Sequence, residues 1–160
     1  MFIKFLDFLR IALVASAFFF GYGIERPDAA AQAAAQLHFM VPVIICAIAG
    51  LSGIEGLFFG RQAARAKGFE EGSNYQRQSA IALLSYTCIS LLVYFLEWGP
   101  RAELTVLFCF LFFFVFSAVN HAVDAIRRKN YRWANINRPV LTLLMISGLV
   151  PVIVAALQNL

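Results

Sequence analysis

The sequence predicts an all-α integral membrane bundle of five transmembrane helices in a single membrane domain, 1–160. Three observations carry this. Five long apolar runs fill most of the chain, 61% of its residues are hydrophobic with only 14% charged, and its basic residues fall almost entirely on one side of the runs. A soluble domain is about half apolar and roughly a quarter charged. A single soluble core cannot hide 17 Phe in 160 residues, because small domains bury only part of their surface. The runs lack the period-two alternation of barrel strands, and a helix satisfies its own backbone within lipid.

The first span is 5–24. Its apolar part, Ile11–Ile24, is short, and it reaches membrane length only through a lead-in from Phe2 that carries Lys4, Asp7 and Arg10. A competing reading makes this segment a signal peptide, with the small residues Ala29-Ala30-Ala31 as the cleavage region. The remaining four spans then keep their orientation. Glu25-Arg26-Pro27-Asp28 breaks the chain. Pro27 suits a helix start, Asp28 suits its positive end, and 29–36 reads as a helical lead-in.

The second span is 37–59, and Pro42 inside it removes one backbone bond and is expected to kink it. Gly50, Gly53, Gly56 and Gly60 form a small-residue stripe. Such stripes allow close approach of a neighbouring helix of the same chain or of a second copy in a homodimer. The third span is 79–98, with Tyr75-Gln76-Arg77-Gln78-Ser79 at its entrance, Ser79 as a local cap and Trp98 at the far interface. Gly99–Ala102 is too short for anything but an antiparallel return. The fourth span, 104–123, distributes Phe110, Phe112, Phe113, Phe114 and Phe116 around its circumference, toward lipid and neighbours alike. The fifth, 139–157, opens at Pro139 and is interrupted by Pro151.

Lys4 and Arg10, then Arg61, Arg65, Lys67 and Arg77, then Arg127, Arg128, Lys129, Arg132 and Arg138 place 11 of the 13 Lys and Arg on one side. Arg26 and Arg101 stand alone on the other. The positive-inside rule makes the first side cytoplasmic, giving an inner-membrane protein with its N-terminus in and C-terminus out. This distribution reflects topology rather than phosphate tracking, and no nucleic-acid partner is expected. The mixed aromatic and basic stretch 129–138 reads as an interfacial belt for anionic headgroups, or as a protein-docking surface. Cys46, Cys88 and Cys109 sit inside apolar runs with no motif spacing, and are expected as buried thiols.

A few polar residues interrupt the runs. Glu55 and His121 each lie six residues before an arginine, Arg61 and Arg127, on helices running the same way. Both are therefore roughly 9 Å inside the basic end. Asn120 neighbours His121, and Asp124 shares its face. Charges at such depth need partners. Three readings remain open: a structural polar network, a proton or substrate pathway through Glu55 and His121, and a site in which Glu55, His121 and Asp124 supply oxygen and nitrogen ligands to a divalent metal. Arg77 and Gln78 are candidate rim residues over that layer. At the opposite end His38 and Glu97 form a second possible pair. His38 and His121 lie at opposite faces and cannot together hold one haem.

His38-Phe39-Met40 with Pro42, Gly53-Ile54-Glu55-Gly56 and Tyr75-Gln76-Arg77-Gln78-Ser79 resemble a pattern found in small uncharacterised bacterial multi-pass inner-membrane proteins. The resemblance spans the middle half of the chain. It implies a bacterial membrane setting and draws attention to Glu55 and Gln78, but that family brings no assigned activity. Three functions follow for testing: an accessory or structural membrane component, a small proton-coupled transporter, and a membrane enzyme or redox protein using the Glu55, His121 and Asp124 layer. No phosphate loop, serine elbow or paired-cysteine motif names a reaction or a cofactor.

Overall fold

A computed structural model describes residues 2–68, 70–131 and 133–159. Their elements are helical throughout. In chain order they are α1 Phe2–Tyr22, α2 Ala29–Ile45, a π-helical turn Cys46–Gly50, α3 Leu51–Phe58, α4 Gly60–Lys67, α5 Asn74–Phe95, α6 Pro100–Arg127 and α7 Trp133–Gln158.

Among the described residues four helical stretches, not five, are long and apolar enough to cross a membrane: Ala29–Phe58, Asn74–Phe95, Pro100–Arg127 and Asn135–Gln158. The chain is a multi-pass membrane protein. The first expected span forms α1, a continuous helix packed on α2. Its first half carries Lys4, Asp7 and Arg10, which dilute the apolar run.

Local chemistry moves several boundaries. Asp28, rather than Pro27, starts α2: its extended backbone lets the carboxylate accept from the Ala31 N–H at 2.8 Å. Pro42 does not end the helix. The winding changes a turn later, at Cys46–Gly50, where the π turn absorbs one extra residue. Ser79 is not a cap, because α5 begins at Asn74 and Tyr75 to Gln78 lie in its first turns. α6 takes Pro100 into its first turn, where the missing N–H costs nothing. α7 opens at Trp133, before Pro139, and runs through both Pro139 and Pro151. The connection expected over 61–78 folds partly as α4, closed by Gly68 at φ 74, a left-handed position that favours glycine.

α2 is the centre of the bundle and packs against α1, α5, α6 and α7. Leu37, Met40, Val41, Ile44 and Ile45 are buried there, meeting Leu107 and Phe110 of α6 and Leu149 and Val152 of α7. On α7 the buried positions Thr142, Met145, Leu149, Val152 and Ala156 recur at three- and four-residue steps, which is one helical stripe. The outer faces remain apolar: Phe8, Phe19, Phe112 and Phe116 are exposed, as lipid-facing side chains are. The cysteines are free, but Cys88 and Cys109 are exposed rather than buried, so only Cys46 lies partly inside.

The glycine stripe faces α5 of the same chain. A Cβ on Gly53 would lie 2.6 Å from the Leu84 side chain and 3.0 Å from the Ala80 carbonyl oxygen. One on Gly56 would lie 2.6 Å from Ala80 Cβ, and Gly50 and Gly60 face Thr87 and Gln76. The intrachain alternative therefore accounts for Gly50, Gly53, Gly56 and Gly60, and the homodimer alternative finds that face already filled.

Candidate functional site

The basic end of the bundle holds a buried ion network. Glu55, on α3, is 2% exposed. Arg10 of α1 donates to its Oε2 and Lys67 of α4 to its Oε1. Arg10 also donates to Asp7 at 2.6 Å. One carboxylate on α3 thus ties the following helix α4 and the distant α1 together. Both its oxygens are engaged, which offsets the cost of placing a charge at this depth.

α4 is held in place by amides. Asn130 donates to the Lys67 carbonyl at 3.1 Å and Asn135 to the same oxygen at 3.4 Å. Gln76 donates to the Gly60 carbonyl at 2.8 Å. The last carbonyls of a helix lack intrahelical partners, so Asn130 and Asn135 cap the C-terminal end of α4, while Gln76 tethers its first residue to α5. The 129–138 stretch is divided accordingly: Asn130 and Asn135 turn inward, while Tyr131 and Trp133 are exposed. Arg132 lies outside the described residues.

The expected meeting of Glu55, His121 and Asp124 does not occur in that form. His121 Nε2 accepts from Arg138 Nη1 of α7 at 2.5 Å. Asp124 takes the Arg128 guanidinium at 2.7 Å, one turn along its own helix. Among the described residues no three His, Cys, Asp or Glu side chains group closely enough to hold a metal ion. The reason is the surplus of cations in this layer, which separates the acid from the imidazole. Arg138 is the link, because it bonds His121 and also interacts electrostatically with Glu55 and Lys67. Asn120, beside His121 on α6, is exposed. Arg77 lines a cleft of about 870 Å³ with Arg61, Gln62 and Asn74, whereas Gln78 is exposed beside it.

Arg10, Lys67 and Arg138 entered the sequence reading only as topology markers. No spacing signal singles them out, although their shared end of the bundle was visible. Burial, with Arg138 nearby, lowers the Lys67 amine from its usual 10.5 to about 8 despite the pairing with Glu55. The folded chain therefore releases this proton before the unfolded chain does. Between about pH 8 and 10.5 the unfolded state binds more protons, so this group makes stability rise with pH across that window and adds no slope below it. Thermal unfolding in detergent from pH 7 to 10.5 is expected to show this rise in the wild type relative to Lys67→Met. Parallel curves would refute it.

The opposite end has a smaller polar group. His38 of α2 meets Glu103 of α6, Nδ1 to Oε1 at 2.6 Å, rather than Glu97. Its ring stacks on Tyr94 with centroids 4.4 Å apart. Glu97 lines the same small cavity as His38 and Glu103. Glu103 was missed because it reads as the mere entry to a span. Its place in the first turn of a helix, on the side facing α2, was the available signal.

Residues 4–160 match the model of the family of unknown function DUF6790. No curated protein and no solved structure matches the chain. The match covers nearly the whole length, so the chain belongs to that family.

Proposed function

We propose that this member of DUF6790 is an accessory or structural membrane component. We propose further that α1 is its fifth membrane helix and that its basic end faces the cytoplasm of a bacterial inner membrane. A helix of 21 residues is roughly 31 Å long, enough for the hydrocarbon core. The one-sided Lys and Arg support the orientation. Cysteine-labelling from each side of intact vesicles tests both.

The observation that carries the functional reading is Asn120. It is exposed on α6 among the exposed Val119, Val123 and Phe116, roughly 10 Å inside the helix end. A bare amide at that depth favours a partner helix offering its own amide or hydroxyl, since interhelical hydrogen bonds are the polar glue of membrane assemblies. Glu55, His121 and Asp124 are instead bound to cations within the chain, which supports a structural role for them over proton transfer or metal chemistry. Arg77 and Gln78, with Arg61, suit headgroup contact.

Native mass spectrometry of gently extracted wild type and Asn120→Leu tests this. A defined heteromer that is lost in Asn120→Leu, with thermal stability unchanged, is the expected result. A bare monomer in both samples, or an equally occupied complex in the variant, sinks the reading.

A further inference from the structure

α3 packs closely on α5, because Gly56 presents no Cβ to Ala80. The helical path breaks at Phe59, whose backbone departs from the helical region. Past it α4 packs against α1, while Gln76, donating to the Gly60 carbonyl, ties its first residue to α5. A cleft of about 870 Å³ opens between the start of α4 and the start of α5, within the size range of small-molecule sites.

Two guanidiniums line this cleft, Arg61 from α4 and Arg77 from α5, and none of its lining residues is acidic. Both arginines are exposed. Among the described residues the Arg77 side chain makes no ion pair. Arg61 feels the charge of Glu71, but both Glu71 oxygens are already taken by Arg65, at 2.9 and 3.1 Å. Two like charges facing one cleft repel each other, and an anion between them removes that cost. The amides of Gln62 and Asn74 line the cleft with them as neutral donors.

The cleft also has an apolar side. Leu57 and Phe58 line it, and Phe58 is 74% exposed. Ile54, one turn deeper on α3, is exposed on the same face. The polar donors thus give way to an apolar track that leads away from the basic end. A soluble anion has no use for that track, whereas a lipid joins its charge to its chains at such a boundary.

We propose that this cleft binds one anionic phospholipid. Its phosphate takes the Arg61 and Arg77 guanidiniums, whose forked donors match phosphate oxygens. Hydroxyls of a glycerol headgroup meet the amides of Gln62 and Asn74, and one acyl chain runs along Phe58 and Ile54. A choline headgroup fits worse, because its own cation meets the second arginine. The site rests on the proposed headgroup contact of Arg61 and Arg77 and narrows it from a basic belt to one lipid. It is independent of the partner surface around Asn120.

Native mass spectrometry of the full chain in mild detergent, titrated with dioleoylphosphatidylglycerol, tests this. The expected result is an adduct that saturates at one lipid per chain and binds about tenfold or more tighter than dioleoylphosphatidylcholine. Arg61→Gln and Arg77→Gln each weaken it about tenfold or more, the worth of one charge-assisted hydrogen bond. Gln62→Glu, at another exposed position, puts a carboxylate beside the arginines and removes the preference, so the test survives if either arginine variant fails to fold. Arg127→Gln removes an exposed charge at the same end of the bundle but not in the cleft, and leaves binding unchanged. Glycerol phosphate, which offers the phosphate without the chains, does not compete. The absence of a saturable adduct overturns the site and the headgroup contact together. An equal loss in Arg127→Gln leaves a basic belt and overturns the cleft alone. Equal affinity for phosphatidylcholine, or binding unchanged in the Arg61, Arg77 and Gln62 variants, overturns it as well. Displacement by glycerol phosphate at the lipid's own concentration overturns it in favour of a soluble phosphate.

Discussion

Replacing Glu55 by Gln lowers the stability of the folded protein by about 3–5 kcal/mol, the cost of removing one partner from a buried ion pair. The side chain keeps its size and loses only its charge. Arg10 then keeps only Asp7, and Lys67 faces Arg10 and Arg138 without the carboxylate it donates to. Most of the loss is the penalty of cations left unmatched rather than the worth of the bonds themselves. A second substitution therefore distinguishes this account from simple misfolding. Lys67→Met on the Glu55→Gln background removes one of the stranded charges and recovers part of the loss, giving a coupling energy of opposite sign to the single effects. Thermal unfolding in a mild detergent reads both. Wild-type stability in Glu55→Gln would remove the network from any structural role.

The second large effect is expected in the glycine stripe. Gly56→Ala places a methyl 2.6 Å from Ala80 Cβ on the facing helix, and two methyl carbons cannot approach so closely. The helices must part, at a cost of about 1–3 kcal/mol, although alanine is the better helix former by roughly 1 kcal/mol. Ala80→Gly restores the space, so the double variant is expected to regain most of the stability lost. Gly21→Ala is expected to act in the same direction, because its Cβ would lie 2.4 Å from Met40 Cε and 2.5 Å from Met40 Cγ, and Met40 is fully buried. A Gly56→Ala variant as stable as wild type would mean that α3 and α5 do not pack as described.

The long apolar runs made the bundle legible, because burial in lipid leaves a composition that no soluble core shares. Short signals were less reliable than their usual meaning. Pro139 read as a boundary and Pro151 as an interruption, yet α7 runs through both, since a helix packed against neighbours tolerates a missing hydrogen bond. The depth argument placed Glu55 and His121 in one layer. It could not say which side chain stood between them, because the rotation of α6 and α7 about their axes is decided by packing. Arg138 fills that gap, and its role depends on where α7 begins, six residues before the proline that seemed to open it. His38 was recognised and its partner was not. Glu97 is nearer in the sequence pattern, but Glu103 lies on the turn of α6 that faces α2. Lys67 escaped notice because a lysine in a basic loop is ordinarily solvated, and only the fold of α4 turns it inward.

The ion network has a timetable. Translation delivers Arg10, Glu55 and Lys67 well before Arg138, and chains assemble from the N-terminal side as they emerge. The first three can close on one another while most of α5, α6 and α7 is still to be made. Arg138 then arrives at a pair that is already complete, with His121, delivered just ahead of it, as its acceptor. The last helix is thus admitted by an imidazole rather than by the carboxylate it approaches, and a nascent chain lacking His121 would bring a guanidinium to a place with nowhere to put it.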